Sequence, residues 1–107
     1  MLNLHLYMLQ RITALIMAPL VLGHLAVMIY AIQGGLTVAE ILGRTQGSWF
    51  WFLFYGLFVL AVSIHAGIGV RVIVYEWVGL RRGLDLLTWG LACGLIALGL
   101  SAVVAVT

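Results

Sequence analysis

Residues 49–75 read WFWFLFYGLFVLAVSIHAGIGVRVIVY, an apolar run in which only His65 and Arg71 carry an imidazole or a charge. A helix needs about 20 apolar residues to cross the roughly 30 Å of hydrocarbon in a bilayer, so this run is long enough. Two further runs, residues 12–32 and 86–106, are of similar length. The sequence therefore predicts three transmembrane helices at about these bounds.

The composition supports a membrane protein and excludes other classes. Of the 107 residues, 65% are hydrophobic and 7% are charged, whereas a soluble domain carries about a quarter charged residues. No run alternates in polarity as a barrel strand does, so the predicted fold class is an all-α integral membrane protein. The few scattered arginines form no nucleic-acid-binding patch. The single cysteine, Cys93, cannot build a disulfide framework or a cysteine metal site within one chain.

The positions of the arginines predict the orientation. Only Arg44 lies in the first connection, whereas the others lie at the start of the first span or around the second connection: Arg11, Arg71, Arg81 and Arg82. Because cytoplasmic loops are enriched in basic residues, the N-terminus is expected inside and the C-terminus outside. The first run is long for a secretory signal and contains Pro19, so we interpret it as a retained span that the proline kinks.

Two short patterns predict a surface segment between the first two spans and a packing face on the third. Residues 38–42 form an amphipathic stretch between glycines, which is expected to lie along the outer membrane surface. In the third span, Gly90 and Gly94 have the spacing of a small-residue face for close helix packing.

Two histidines, His24 and His65, lie deep within predicted spans, where an ionisable side chain is costly and indicates a functional site. Counted at about 1.5 Å per residue from the predicted inner boundary, the two imidazoles are expected at similar depth. Imidazole is an axial ligand of haem iron, and Ala61 and Gly69, one turn from His65, would let a porphyrin approach. Both histidines are therefore candidate metal ligands. Alternatively, the small residues only allow tight packing, and the imidazoles bridge helices by hydrogen bonds.

Arginine is a natural partner for the propionates of a haem. Arg71 lies nearer the inner boundary than His65, and Arg11 lies where the first span enters the membrane, so either is a candidate. The alternative is that both extend to lipid headgroups. Neighbouring helices pack about 8–10 Å apart, which is tight for a haem between two of them. Ligation by two histidines therefore indicates a second subunit, either a different anchor or a copy of this chain.

A quinone headgroup would suit the side chains at the predicted inner boundary, because its carbonyls need donors and its reduction needs protons. The candidates are Tyr7, Thr13, Tyr75, Glu76 and Trp77. An ordinary interfacial belt of aromatic residues would contain much the same set.

Two segments, residues 10–13 (Gln-Arg-Ile-Thr) and residues 65–77 (HAGIGVRVIVYEW), carry a resemblance to a known family. The chain resembles the transmembrane cytochrome b anchor subunits of succinate dehydrogenase and fumarate reductase. The resemblance implies that His65, with Gly69 in register, is an axial ligand of haem b, and that Arg11 contacts a propionate or the quinone pocket. Glu76 and Trp77 stand where the smaller type of anchor has an aspartate and a quinone-binding tyrosine.

The same resemblance implies a setting for the chain. It would be a non-catalytic anchor that docks a flavoprotein and an iron–sulfur subunit, binds haem b and passes electrons to or from membrane quinone. The expected location is the bacterial inner membrane, with the mitochondrial inner membrane as the alternative. Two other functions are compatible with the sequence: a cytochrome b subunit of another membrane oxidoreductase, and a haem-free structural or assembly protein.

Overall fold

The chain folds into four α-helices, as seen in a computed structural model that describes residues 2–107. Three helices are long and apolar enough to span a membrane, and no strand occurs among the described residues. The elements are α1 (Leu4–Gly34), α2 (Val38–Thr45), α3 (Trp49–Ile73), which continues into a π-helical turn (Val74–Val78), and α4 (Leu84–Val106). The prediction of an all-α protein with three candidate spans is confirmed. The orientation of the termini stays a prediction.

Helix α1 begins earlier than the apolar run that predicted it. The Asn3 side chain accepts a hydrogen bond from the Leu6 amide at 2.9 Å and caps the helix, so the helix starts at Leu4 rather than at residue 12. Hydropathy locates the apolar core of a span, whereas the cap determines where the helix begins. Pro19 lies inside α1, and the helix continues through it.

Helix α3 is the centre of the bundle, with α1 and α4 packed antiparallel along two of its sides and in little contact with each other. Small residues let the backbones approach. A Cβ added at Gly67 of α3 would lie 2.6 Å from the Thr88 carbonyl oxygen of α4. On the other side, the Phe54 ring of α3 packs against Gly23 of α1. Such contacts matter in lipid, where helices associate through packing rather than through exclusion of water.

Helix α2 closes one end of the bundle, which we call the α2 end. The Thr45 hydroxyl donates to the Val106 carbonyl at 2.6 Å, and the Gly47 amide donates to the Thr107 carbonyl at 2.9 Å. The Arg44 guanidinium donates to the Gly35 carbonyl at 2.8 Å. The predicted amphipathic stretch is therefore a helix that is tied to both α1 and α4.

The opposite end of the bundle, which we call the N-terminal end, holds the start of α1, the π-helical turn and the start of α4. Gly79 and Gly83 have positive φ angles of 79° and 75°, which glycine adopts without steric cost. These two residues allow the chain to reverse direction between α3 and α4.

The small-residue face of α4 does not pack within the chain. Cβ atoms added at Gly90 and Gly94 would meet nothing within 4 Å in the part of the chain that the structure describes. Helix α4 contacts α3 through other residues, including Thr88, Ala92 and Gly99. Only 6% of the most apolar stretch of α1 is buried, so most of the surface of this helix is exposed.

Candidate functional site

His65 projects from α3 toward α1, where its imidazole meets a buried threonine. The His65 Nδ1 atom lies 3.2 Å from the Thr13 Oγ1 atom. Thr13 is only 4% exposed, whereas His65 is half-buried. One ring nitrogen is therefore held inside the chain. Within residues 2–107 the His65 ring makes no second hydrogen bond.

The Thr13 hydroxyl has further neighbours that bear on the protonation of the ring. Its oxygen lies 2.9 Å from the Leu9 carbonyl oxygen and 3.0 Å from that of Gln10, both within its own helix. A hydroxyl has one proton and two lone pairs. When the proton is directed to a helix carbonyl, the oxygen can only accept from Nδ1–H, and Nε2 then carries the free lone pair of the imidazole.

Gln10 and Gly69 face each other about one helical turn from this contact. The Gln10 Nε2 atom would lie 3.7 Å from a Cβ built at Gly69, so the amide packs against the glycine. The Gln10 Oε1 atom is buried and has no hydrogen-bond partner among the described residues. A buried amide oxygen without a partner is a group that a hydrogen-bond donor on a bound ligand would satisfy.

The Arg71 side chain reaches α4. Its Nη1 atom contacts the Asp85 carboxylate and lies 3.4 Å from the Thr88 hydroxyl oxygen. The guanidinium therefore already has a carboxylate partner within the chain. A propionate at Arg71 would have to share the guanidinium with Asp85.

Arg11 lies beside Tyr7 on the exposed surface of α1. Its Nη1 donates to the Tyr7 hydroxyl at 3.4 Å, and the guanidinium carbon lies 5.8 Å from the centre of the tyrosine ring. Both side chains are exposed, so the pair is accessible to lipid headgroups or a partner.

The π-helical turn after α3 carries three of the predicted quinone-binding residues. Tyr75 accepts a hydrogen bond from Arg81 at 2.9 Å, and the guanidinium also lies over its ring. Glu76 and Trp77 are exposed, with 84% of Trp77 accessible. The antiparallel packing places this turn and Tyr7 at the same end of the bundle, whereas Thr13 lies deeper against His65.

His24 lies between aromatic rings in the half of the bundle nearer α2. Its ring is edge-on to Tyr55 at 6.1 Å and to Phe58 at 5.4 Å between centroids. It also lines a groove of about 710 Å³ that reaches Arg44. Within residues 2–107 the His24 ring makes these two aromatic contacts and no hydrogen bond.

The two histidines do not lie at similar depth, and that expectation is wrong. His65 is level with Thr13, and His24 follows Thr13 by eleven residues, or about 16 Å at 1.5 Å per residue. The expectation failed because it placed residue 12 and Tyr75 at the same depth, at the inner boundary of the membrane. Since α1 begins at Leu4, the true pairing is offset by about two turns.

Several residues of the site escaped the sequence interpretation. The contact between Asp85 and Arg71 could have been predicted. Asp85 is the acidic residue in the first turn of α4, and Arg71 is the basic residue in the last turn of the preceding span. Thr88 and Tyr55 gave no such signal. Only the register between helices brings them to Arg71 and His24.

Comparison with known proteins identifies the family. The family model described as Succinate dehydrogenase/Fumarate reductase transmembrane subunit matches residues 1–107. No curated protein and no solved structure matches the chain. The match covers the whole sequence and agrees with the resemblance carried by residues 10–13 and 65–77. The chain is therefore a member of the succinate dehydrogenase/fumarate reductase transmembrane subunit family.

Proposed function

We propose that the chain is a haem b-binding membrane anchor that docks a flavoprotein and an iron–sulfur subunit and helps to pass electrons to or from membrane quinone. The observation that carries this proposal is the His65 imidazole. It lies within a membrane span, contacts the protein through Nδ1 and leaves Nε2 available for a ligand. An ionisable ring at such a place is costly unless it binds something.

The donor set fits a haem better than a bare metal ion. Residues 2–107 contain no group of three or more His, Cys, Asp or Glu side chains placed to hold a metal. A porphyrin supplies the equatorial ligands of its iron, so one imidazole from this chain suffices on one axial side. The unpartnered Oε1 atom of Gln10 and the small Gly69 lie one turn away and favour a ligand with a polar edge beside this helix pair.

When bound, haem b would supply a one-electron carrier within the membrane. His65 would hold its iron, and Thr13 would orient the imidazole. Arg11, which is exposed on α1, would neutralise a propionate at the N-terminal end. Arg71 would neutralise a propionate only if its guanidinium bound the propionate and the Asp85 carboxylate together.

The second axial ligand would come from another chain. His65 is half-buried and α1 is almost fully open, so a partner has room to complete the site. A parallel homodimer has its twofold axis along the membrane normal, and this symmetry keeps each residue at its own depth. His24 of a copy would therefore be as far from the level of His65 as His24 of the same chain. A second His65 or a different anchor subunit would fit.

A quinone would bind at the N-terminal end of the bundle. Tyr7, Tyr75, Glu76 and Trp77 present phenols, a carboxylate and an indole there. Glu76 and Trp77 are exposed and make no hydrogen bond, ion pair or ring contact with the other described residues. The carboxylate can relay a proton and the other groups can donate hydrogen bonds. The soluble subunits would dock at the same end, which we place on the cytoplasmic side of a bacterial inner membrane.

The test is a reduced-minus-oxidised absorbance spectrum of membranes that contain the chain with its partner subunits. We expect a b-type band that His65→Ala abolishes or strongly lowers. The exposed His5 provides the matched control, because His5→Ala should leave the band unchanged. An unchanged band in His65→Ala refutes the ligation. A wild-type complex without any band supports a haem-free structural role, and a haem-bearing complex without a flavoprotein supports another oxidoreductase.

A further inference from the structure

The contact between Thr13 and His65 joins a buried hydroxyl to the ring that the proposed function assigns to iron. The Oγ1 to Nδ1 distance is 3.2 Å, and the two residues come from different helices. Thr13 is one of four polar residues that are buried in the described chain, and the others are Thr45, Ser63 and Thr88. Its hydroxyl is therefore shielded from solvent.

We propose that Thr13 is a positioning residue that accepts a hydrogen bond from His65 Nδ1–H and thereby fixes the tautomer that presents Nε2 to a haem iron. This inference rests on the proposed haem ligation. Its geometric basis is the pair of helix carbonyls of Leu9 and Gln10 at 2.9 and 3.0 Å from Oγ1, which take the threonine proton. The lone pairs of the oxygen then face the ring.

The physical consequence is an ordered and more basic ligand. A histidine that binds metal almost always donates its other N–H to an acceptor, which fixes the ring orientation and raises ligand basicity. Within the membrane no water competes for that N–H, so the loss of the acceptor leaves it unsatisfied. A more basic imidazole would favour ferric iron, and the hydrogen bond would therefore lower the midpoint potential of a haem bound at His65.

The same geometry argues against Thr13 as a donor to quinone. A quinone carbonyl needs a proton donor, and the hydroxyl proton is held by the carbonyls of α1. The side chain is also only 4% exposed, so a headgroup has little access to it.

The experiment compares Thr13→Val with Thr13→Ser in the assembled complex. Valine keeps the shape but removes the acceptor, whereas serine keeps the hydroxyl. We expect Thr13→Val to weaken haem affinity by about 10–100-fold and to shift the midpoint potential to a more positive value. The Thr13→Ser variant should resemble the wild type in both measurements. The electron paramagnetic resonance signal of the ferric haem should change only in the valine variant.

Thr45→Val is the matched control, because Thr45 is buried at the α2 end, away from His65, and also donates to a carbonyl of its own helix. It should leave the haem potential unchanged. If Thr13→Val does not assemble, Thr13→Ala removes the same acceptor without adding bulk and decides the question. A variant that lacks the hydroxyl but keeps the wild-type potential and affinity overturns the inference while His65 ligation stands. Haem that persists unchanged in His65→Ala overturns the proposed function and this inference together.

Discussion

Arg71 of α3 and Asp85 of α4 form an ion pair that joins the two helices at the N-terminal end of the bundle, with Nη1 2.5 Å from Oδ1. The two partners differ in environment, since the Arg71 side chain is 11% exposed and that of Asp85 is 83% exposed. The Thr88 hydroxyl lies near the same guanidinium. The pair thus directs the cation toward α4, while His65 faces α1.

Removal of the Asp85 carboxylate should destabilise the packing of α3 on α4. Asp85→Ala takes the counter-charge from a largely buried guanidinium, and solvent around Asp85 moderates the effect. We expect a loss of about 1–2 kcal/mol in the free energy of unfolding, measured by denaturant titration in detergent micelles. Glu76→Ala is the control, because Glu76 is exposed and should change stability by less than about 0.5 kcal/mol. Equal stabilities of the two variants would contradict a contribution from the ion pair.

Gly67 should be intolerant of any side chain. A Cβ there would lie 2.6 Å from the Thr88 carbonyl oxygen and 3.3 Å from the Ala92 Cβ, and a backbone atom cannot move aside as a flexible side chain can. Gly67→Ala is therefore expected to force α3 and α4 apart and to cost about 1–3 kcal/mol of unfolding free energy. The same denaturant titration measures this loss.

Gly94 of α4 should tolerate a side chain, in contrast to Gly67 of α3. A Cβ at this position meets nothing within 4 Å in the described chain, and alanine is a better helix former than glycine. Gly94→Ala in the isolated chain should be neutral or stabilising by up to about 1 kcal/mol. If Gly67→Ala and Gly94→Ala behave alike, the close contact at Gly67 does not determine stability.

The sequence was sufficient for those features that hydropathy determines. Residues 49–75 and 86–106 predicted α3 and α4 closely, because an apolar run of this length in lipid must satisfy its backbone by forming a helix. The start of α1 was missed, because Asn3 extends the helix through residues that hydropathy does not mark.

The register between the helices could not be predicted from the sequence. Each span tolerates sliding along its neighbour, and the observed pairing depends on contacts such as Gly67 with Thr88 and Gly23 with Phe54. For this reason the contact between His65 and Thr13 was not predicted. The same uncertainty placed His24 at the wrong level.

His24 and His65 should be separable by mutation. They lie at different depths, so the two imidazoles of one chain cannot ligate one iron from opposite sides. His24→Leu is expected to retain the absorbance band that depends on His65, with the same midpoint potential. If His24 instead binds a second haem, the variant should lose about half of the haem and keep the His65-dependent part. Complete loss of haem in a stable His24→Leu complex would contradict the difference in depth.

The orientation predicted from the arginines can be tested at the two ends of the bundle. In a Cys93→Ser background, Gln46→Cys places a thiol at the α2 end, and Leu80→Cys places one between α3 and α4; both native residues are exposed. A membrane-impermeant maleimide added to intact spheroplasts should label the cysteine at position 46 only, because four of the five arginines favour a cytoplasmic N-terminal end. After detergent solubilisation both thiols should react, which controls for accessibility. Labelling of position 80 alone in intact spheroplasts would reverse the assigned orientation and place His65 and the proposed quinone site on the opposite side of the membrane.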